Sequence, residues 1–210
     1  RGARGRNGLR DPVKITVISD THGEHDKLGR LSGEVLIHCG DMFNMFSPND
    51  DDLERMDQWF GTQSFDLVLC IGGNHDFPLA AHAPSAAPRF RNAVYLEGSS
   101  HVHEGIHFFG APWVPELVGQ AFFRKPQELR RQWAEIPTGV DVLITHSPPA
   151  GVLDVSSRKL QLGCGHLAAR LRDLAPRLHC FGHVHASSGM VKAGKTTSVN
   201  AAMVNSQCQL

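Results

Sequence analysis

The 210-residue chain predicts an α/β sandwich of mixed sheets flanked by helices, folded as one compact domain over residues 13–210. Three observations predict it. Several runs of four to seven residues are almost continuously apolar and β-branched, as suits strands covered on both faces. Amphipathic stretches with apolar residues three to four apart lie between them. Two short hairpin patterns, each with a Gly in its turn, add strands of the antiparallel kind. The length suffices for one sizeable core and does not require a second.

Residues 14–19 (Lys-Ile-Thr-Val-Ile-Ser) form the first expected strand, bounded by Pro12 and Asp20. Residues 35–39 are the second and 65–71 the third. Residues 49–60 between them start with acids (Asp50, Asp51, Asp52) and continue with Leu53, Met56, Trp59 and Phe60, which predicts an amphipathic helix stopped at Gly61. Residues 78–92 are rich in Pro, Ala and Ser and read as a loop or a short irregular helix. Strands at 94–96, 100–103 and 106–110 follow, with Glu104-Gly105 as the turn. Pro126 opens a helix over 125–136. A strand at 142–145, a helix around 166–174 and a strand at 178–181 complete the core. Residues 187–192 and 196–199 pair as a closing hairpin across Ala193-Gly194-Lys195.

Composition narrows the function classes. Lys+Arg and Asp+Glu are equal at 21 each, so nothing draws the chain to long nucleic acid or a membrane surface. No stretch approaches the roughly 18 consecutive apolar residues of a membrane span. The five cysteines include no Cys-x-x-Cys pair, which points to reduced thiols and a cytoplasmic setting. Residues 1–12 are basic and Gly-rich, and read as a disordered arm or an expression remnant. Histidine is in surplus, at 13.

Five short signatures each stand where an expected strand stops: Asp20-Thr21-His22, Gly40-Asp41, Gly73-Asn74-His75-Asp76, Thr145-His146 and Gly182-His183-Val184-His185. In an open α/β sheet the carboxyl ends of the strands converge on one crevice. Asp-x-His alone is expected roughly once by chance in this composition, whereas Gly-His-x-His is rarer and Gly-Asn-His-Asp rarer still. Their joint occurrence in this order carries the signal. Two divalent cations about 3.5–4 Å apart need a bridging carboxylate, for which Asp41 is the candidate. Asp20, His22 and His185 complete one site, and Asn74, His146 and His183 the other. Such nitrogen and oxygen ligation suits Mn, Fe, Zn or Ni, with Mg also an option. A centre of this kind activates bridging water and attracts a phosphate anion. His75 is expected to point away from the metals toward substrate, as an acid for the leaving group or a contact to phosphate, with Asp76 as its orienting carboxylate.

The same signatures, in this order, resemble the calcineurin-like metallophosphoesterase superfamily over about residues 14–200. The segments Gly110-Ala111-Pro112-Trp113, Trp133 with Ile136-Pro137, Thr145-His146-Ser147-Pro148-Pro149, Gly163-Cys164 and His179-Cys180-Phe181-Gly182-His183 resemble its metallophosphoesterase-domain-containing (MPPED-type) branch of class III phosphodiesterases. The resemblance implies a four-layer α/β-β/α sandwich, a Mn- or Fe-type dinuclear centre, and hydrolysis of phosphodiesters or phosphomonoesters. It places the metal ligands on the seven positions above and the phosphate-contacting histidine on His75. Asp76 stands where animal members of the branch tend to have Glu. His183 stands where they can have Gly, so full dinuclear binding is expected here.

The leading expectation is therefore a phosphodiesterase for a small phosphodiester, cyclic nucleotides included. A phosphomonoesterase or nuclease on the same site, and a non-catalytic protein-binding scaffold, are the alternatives. The loop Met42-Phe43-Asn44-Met45-Phe46 has two readings: it stacks a nucleobase or packs on the protein. Asn44 is a candidate phosphate contact, Trp113 a candidate wall of the crevice with core packing as its default, and Arg158 and Lys159 the nearest basic candidates for a phosphate or nucleotide edge, with a solvated loop as the favoured reading. His101 and His103 read as strand residues rather than ligands, His38 and His179 as near-core residues, and His25, His82, His107 and His166 as surface or packing residues.

Overall fold

The structure is a computed structural model that describes residues 12–44, 51–81, 90–115, 117–205, 207 and 209–210. Several expectations lie outside those residues: residues 1–11 of the basic arm, Met45 and Phe46, the first two helix residues Asn49 and Asp50, residues 82–89 with His82, and Cys208.

The strands are β1 (Ile15–Ile18), β2 (Val35–His38), β3 (Leu67–Cys70), β4 (Val94–Tyr95), β5 (Ser99–His103), β6 (Ile106–Ala111), β7 (Val142–Thr145), β8 (Leu178–Phe181), β9 (Gly189–Ala193) and β10 (Thr196–Asn200). The helices are α1 (Asp52–Thr62), α2 (Phe77–Ala80), α3 (Pro126–Ala134) and α4 (Gly165–Leu174). A four-stranded sheet runs β1-β2-β3-β4, parallel throughout. A six-stranded mixed sheet runs β5-β6-β7-β8-β10-β9, with β6, β7, β8 and β10 parallel and an antiparallel strand at each edge.

The period of two along a strand sorts the core into layers. Val35, Ile37, Leu69 and Ile71 of the first sheet meet Phe108, Val142, Ile144 and Cys180 of the second, forming the inter-sheet core. The alternate residues, Leu36, Val68 and Cys70 on one side and Phe109 and Leu143 on the other, join the outer core with Met56, Trp59 and Phe60 of α1, Leu129 and Trp133 of α3, and Leu167 of α4. Helix, sheet, sheet and helix make the four layers.

Local chemistry explains the helix ends. α1 carries Asp52 and Glu54 in its first turn, where the helix dipole favours acids. It runs one residue beyond Gly61, ending when Gln63 N–H donates to Phe60 O at 3.1 Å. Gly61 instead allows the close approach of Asn92, whose amide would crowd a Cβ there. In α3, Glu128 accepts from Lys125 N–H at 3.0 Å, closing the first turn around Pro126. The closing hairpin turns on Gly194 and Lys195 alone, since Ala193 pairs with Thr196. Cys39, Cys70, Cys164 and Cys180 are free and buried. Among the described residues no helix is long and apolar enough to cross a membrane.

Candidate metal centre

Parallel pairing brings the ends of β1, β2 and β3 to the same edge of the molecule as the ends of β7 and β8. There the backbone turns sharply. Asp20, His22, Asp41 and His183 all have positive φ, between 44° and 69°. Asp and His are among the few residue types that tolerate this region, and such strain collects at functional sites. The turns are over-determined by ladder-like bonds that outlast the strands. Asp20 N–H donates to Gly40 O at 2.9 Å, His22 N–H to Asp41 O at 3.1 Å, and Gly182 N–H to His146 O at 3.1 Å. Gly73 and Gly182 act by lacking a Cβ: one added at Gly73 would overlap the Asp41 carboxylate, and one at Gly182 would overlap Ser19 Oγ and Asp20 Oδ2.

Two donor clusters result. Asp20, His22 and His185 form one, and Asp41, His146 and His183 the other, each with ligand atoms within 4.8 Å of one another. The Asn74 amide oxygen joins the second cluster, 3.0 Å from His146 Nε2. Asp41 Oδ2 faces both clusters, 3.3 Å from His146 Nε2 and 3.9 Å from His22 Nε2. All seven residues expected to act as ligands are brought together, in the expected grouping.

The hydrogen bonds test whether cations suit this donor set. His146 Nδ1 lies 2.8 Å from Cys39 O, so Nδ1 carries a hydrogen, and in the neutral ring Nε2 presents a lone pair. That lone pair faces Asn74 Oδ1 and Asp41 Oδ2, both acceptors. His185 repeats the pattern: Nδ1 donates to Asn205 O at 2.9 Å, while Nε2 faces Asp20 Oδ1 at 3.2 Å and His22 Nε2 at 3.4 Å. Such convergent lone pairs need a cation or a proton at their focus. Carbonyl acceptors on the far ring nitrogen are the usual outer support of a metal-binding imidazole. In the absence of a cation a proton takes that place between His146 and Asp41. Burial opposes charge on Asp41, yet His146, His75 and His22 hold its carboxyl far below the usual carboxylate range. Burial also opposes charge on His146, but Asp41 outweighs it and raises the imidazole to about 9. Burial pushes His183 down to about 4, with repulsion from His146 added. The residues present fit a pair of divalent cations.

His75 stands beside this centre. Its backbone N–H donates to Asp41 Oδ1 at 2.8 Å, and its imidazole Nε2 lies 3.8 Å from Asp41 Oδ2. The ring borders the Asp41 carboxylate and the His22 ring, with 17 % of the side chain exposed. Asp76 differs from expectation. Its carboxylate accepts N–H bonds from Met42 (2.9 Å), Phe43 (3.1 Å) and Gly73 (2.8 Å) and is fully buried, so it fixes two loops rather than the His75 ring. Burial and then repulsion from Asp41 push its carboxyl up to about 8, against the pull of the Gly73 and Phe43 N–H groups.

Phe43 is 2 % exposed and belongs to the core, so it offers no face for base stacking. Its backbone, held by Asp76, packs the loop onto the protein. Asn44 is exposed and lies beside Gly23, next to the His22 turn. Trp113 is buried in the core against Phe122, with the Arg124 guanidinium 4.5 Å from its ring centroid. Arg158 is exposed. His25 is buried against Trp59, with ring centroids 5.5 Å apart. Sequence reasoning did not single out Phe122, whose ring covers Gly72, or the Cys39 and Asn205 carbonyls that seat His146 and His185. No residue type marks a backbone acceptor in advance.

Fold and centre together define a metallophosphoesterase, and the comparisons agree. The calcineurin-like phosphoesterase family matches residues 13–187, and the chain belongs to that family. It is similar to human metallophosphoesterase domain-containing protein 1, 32 % identical over 91 % of this chain and 66 % of that protein. It is similar also to UPF0046 protein K07C11.7 of Caenorhabditis elegans, 30 % identical over 94 % of this chain and 72 % of that protein. The chain thus spans about two thirds of the length of the human relative. The fold is shared with phosphopantetheinyl hydrolase (PptH) from Mycobacterium tuberculosis (TM-score 0.58, 14 % identity, 93 % of this chain and 90 % of that one). TT1561 of Thermus thermophilus shares it too (TM-score 0.57, 12 % identity, 90 % and 89 %). Membership of the family supports metal-dependent hydrolysis of phosphoesters.

Proposed function

We propose that residues 13–210 act as one catalytic domain, a phosphodiesterase that uses two divalent cations, Mn²⁺ or Fe first among them, on a small phosphodiester such as a cyclic nucleotide. The observation that carries this reading is Asp41 Oδ2, which faces an Asp-His-His cluster on one side and an Asn-His-His cluster on the other. Asp20, His22 and His185 hold one cation, Asn74, His146 and His183 the other, and Asp41 serves both. When bound, such a pair lowers the pKa of water and offsets the charge that builds on phosphoryl oxygens.

The chain supplies orientation and a proton. Cys39 O and Asn205 O keep the far nitrogens of His146 and His185 protonated, so both rings offer Nε2 inward. His75, anchored through its backbone N–H on Asp41, is the residue that hydrogen-bonds a phosphoryl oxygen and protonates the departing alkoxide. Asp76 is a positioning residue, holding the turns after β2 and β3 in register.

Protein loaded with Mn²⁺ is expected to hydrolyse bis-p-nitrophenyl phosphate. Asp41→Ala and His146→Ala should each abolish turnover, and activity surviving in both variants defeats the assignment. Turnover of p-nitrophenyl phosphate exceeding that of the diester would favour a phosphomonoesterase on the same residues.

A further inference from the structure

Two histidines lie inside strands and have no place among the seven donors. His38 ends β2 and His179 stands in β8, and both are fully buried. Each meets a threonine hydroxyl. His38 Nε2 lies 3.0 Å from Thr21 Oγ1, and His179 Nε2 lies 2.9 Å from Thr145 Oγ1. Those threonines flank donors: Thr21 stands between Asp20 and His22, and Thr145 precedes His146. One imidazole–threonine pair thus borders each cluster.

Neighbouring bonds fix the direction of both contacts. Gly40 N–H donates to His38 Nδ1 at 3.3 Å, so the ring hydrogen is on Nε2 and goes to Thr21. Thr145 donates its hydroxyl hydrogen to Ser147 O at 2.8 Å, so its oxygen accepts from His179 Nε2–H. Burial pushes both imidazoles down to about 3, which keeps them neutral. Packing alone does not account for an imidazole in these places. His179 Nδ1 is buried without a partner, a cost that an apolar side chain there would avoid. What the imidazole adds over such a side chain is a hydrogen directed at the threonine beside a donor. Asp20 and His22, on either side of Thr21, both have positive φ, so a bond to Thr21 opposes relaxation of the strained turn.

We infer that His38 and His179 are positioning residues of the candidate metal centre, each holding through its threonine the turn that presents donors to one cation. The inference rests on the two-cation reading of that centre. The His38–Thr21 pair supports the cation of Asp20, His22 and His185. The His179–Thr145 pair supports the cation of Asn74, His146 and His183.

Calorimetric titration of the metal-free protein with Mn²⁺, beside urea unfolding of each variant, tests it without requiring turnover. Thr21→Val and Thr145→Val keep the side-chain shape and remove the hydroxyl. Each is expected to weaken one of the two binding steps by about tenfold, the lower bound for losing an outer support of a ligand. His38→Leu should weaken the same step as Thr21→Val, and His179→Leu the same step as Thr145→Val. Joining Thr145→Val to His179→Leu should cost no more than either alone, because both break one bond. Joining Thr21→Val to Thr145→Val should weaken both steps. His179→Gln, whose amide N–H can donate in place of Nε2–H, should restore the affinity that His179→Leu loses. Lower stability with unchanged affinity in both threonine variants, additive losses within one pair, or a glutamine no better than leucine would overturn the inference and leave ordinary core hydrogen bonds. A parent protein that binds no Mn²⁺ would overturn it together with the two-cation reading. The expected pattern in a protein that hydrolyses no phosphoester would uphold the pairs and defeat the phosphodiesterase reading instead.

Discussion

Asp20, His22, Asp41 and His183 face one another through strained backbone, and the glycines between them are as specific as the donors. At Gly182 a methyl group would meet Ser19 Oγ and Asp20 Oδ2, both buried. Overpacking of this kind costs about 1–3 kcal/mol. Gly182→Ala is therefore expected to lower the unfolding free energy by that amount, read as a lower urea midpoint, and to weaken metal binding at the Asp20 cluster by about tenfold, the lower bound for disturbing the supports of a ligand. A variant with unchanged midpoint and unchanged calorimetric affinity would show that Asp20 has room to retreat. The signature Gly-His-x-His was legible at this scale. What it could not reveal is that the glycine makes room for an aspartate 162 residues earlier.

At the scale of elements, the segment between β6 and α3 does what no single motif announces. Phe122, at φ 55°, lays its ring over Gly72 and against Trp113, and Ala121 N–H donates to Asn74 O at 3.0 Å. The turn bearing Asn74 and His75 is braced from outside its own sheet. Phe122→Ala is expected to cost about 3–5 kcal/mol in chemical denaturation, the usual loss for a buried aromatic. It should also reduce affinity for the cation that Asn74 serves, and a loss of stability without loss of affinity would reduce the segment to core packing. The strands were largely readable: runs at 142–145 and 178–181 match β7 and β8 residue for residue, because both are apolar and covered on both faces. The bracing segment was not, since Trp113 and Phe122 carry no period of their own.

For the whole molecule, the candidate centre is a joint between the sheets. Asp20 and His22 follow β1 and Asp41 follows β2, while His146, His183 and His185 follow strands of the other sheet. Each cluster therefore takes donors from both sheets, and a bound cation links them. Binding only to the folded state stabilises by about 2.7 kcal/mol at 100 times the dissociation constant. For a chain of this length each kcal/mol moves the thermal midpoint by about 2–4 °C. Chelation by EDTA is expected to lower that midpoint by about 5–10 °C, with recovery on adding Mn²⁺. A midpoint indifferent to chelator would mean that the sheets hold together without help from the centre.

Donor identity, donor order and strand position could all be read along the chain, because ligand chemistry restricts residue type and apolar runs mark where strands end. Which way a side chain turns could not. Asp76 sits next to His75 in sequence yet commits its carboxylate to three backbone N–H groups, and Phe43 disappears into the core beside it. Those choices depend on which buried donors lack a partner and which cavities lack a ring. Both are properties of packing between distant segments, so they exist only once the two sheets have closed on each other.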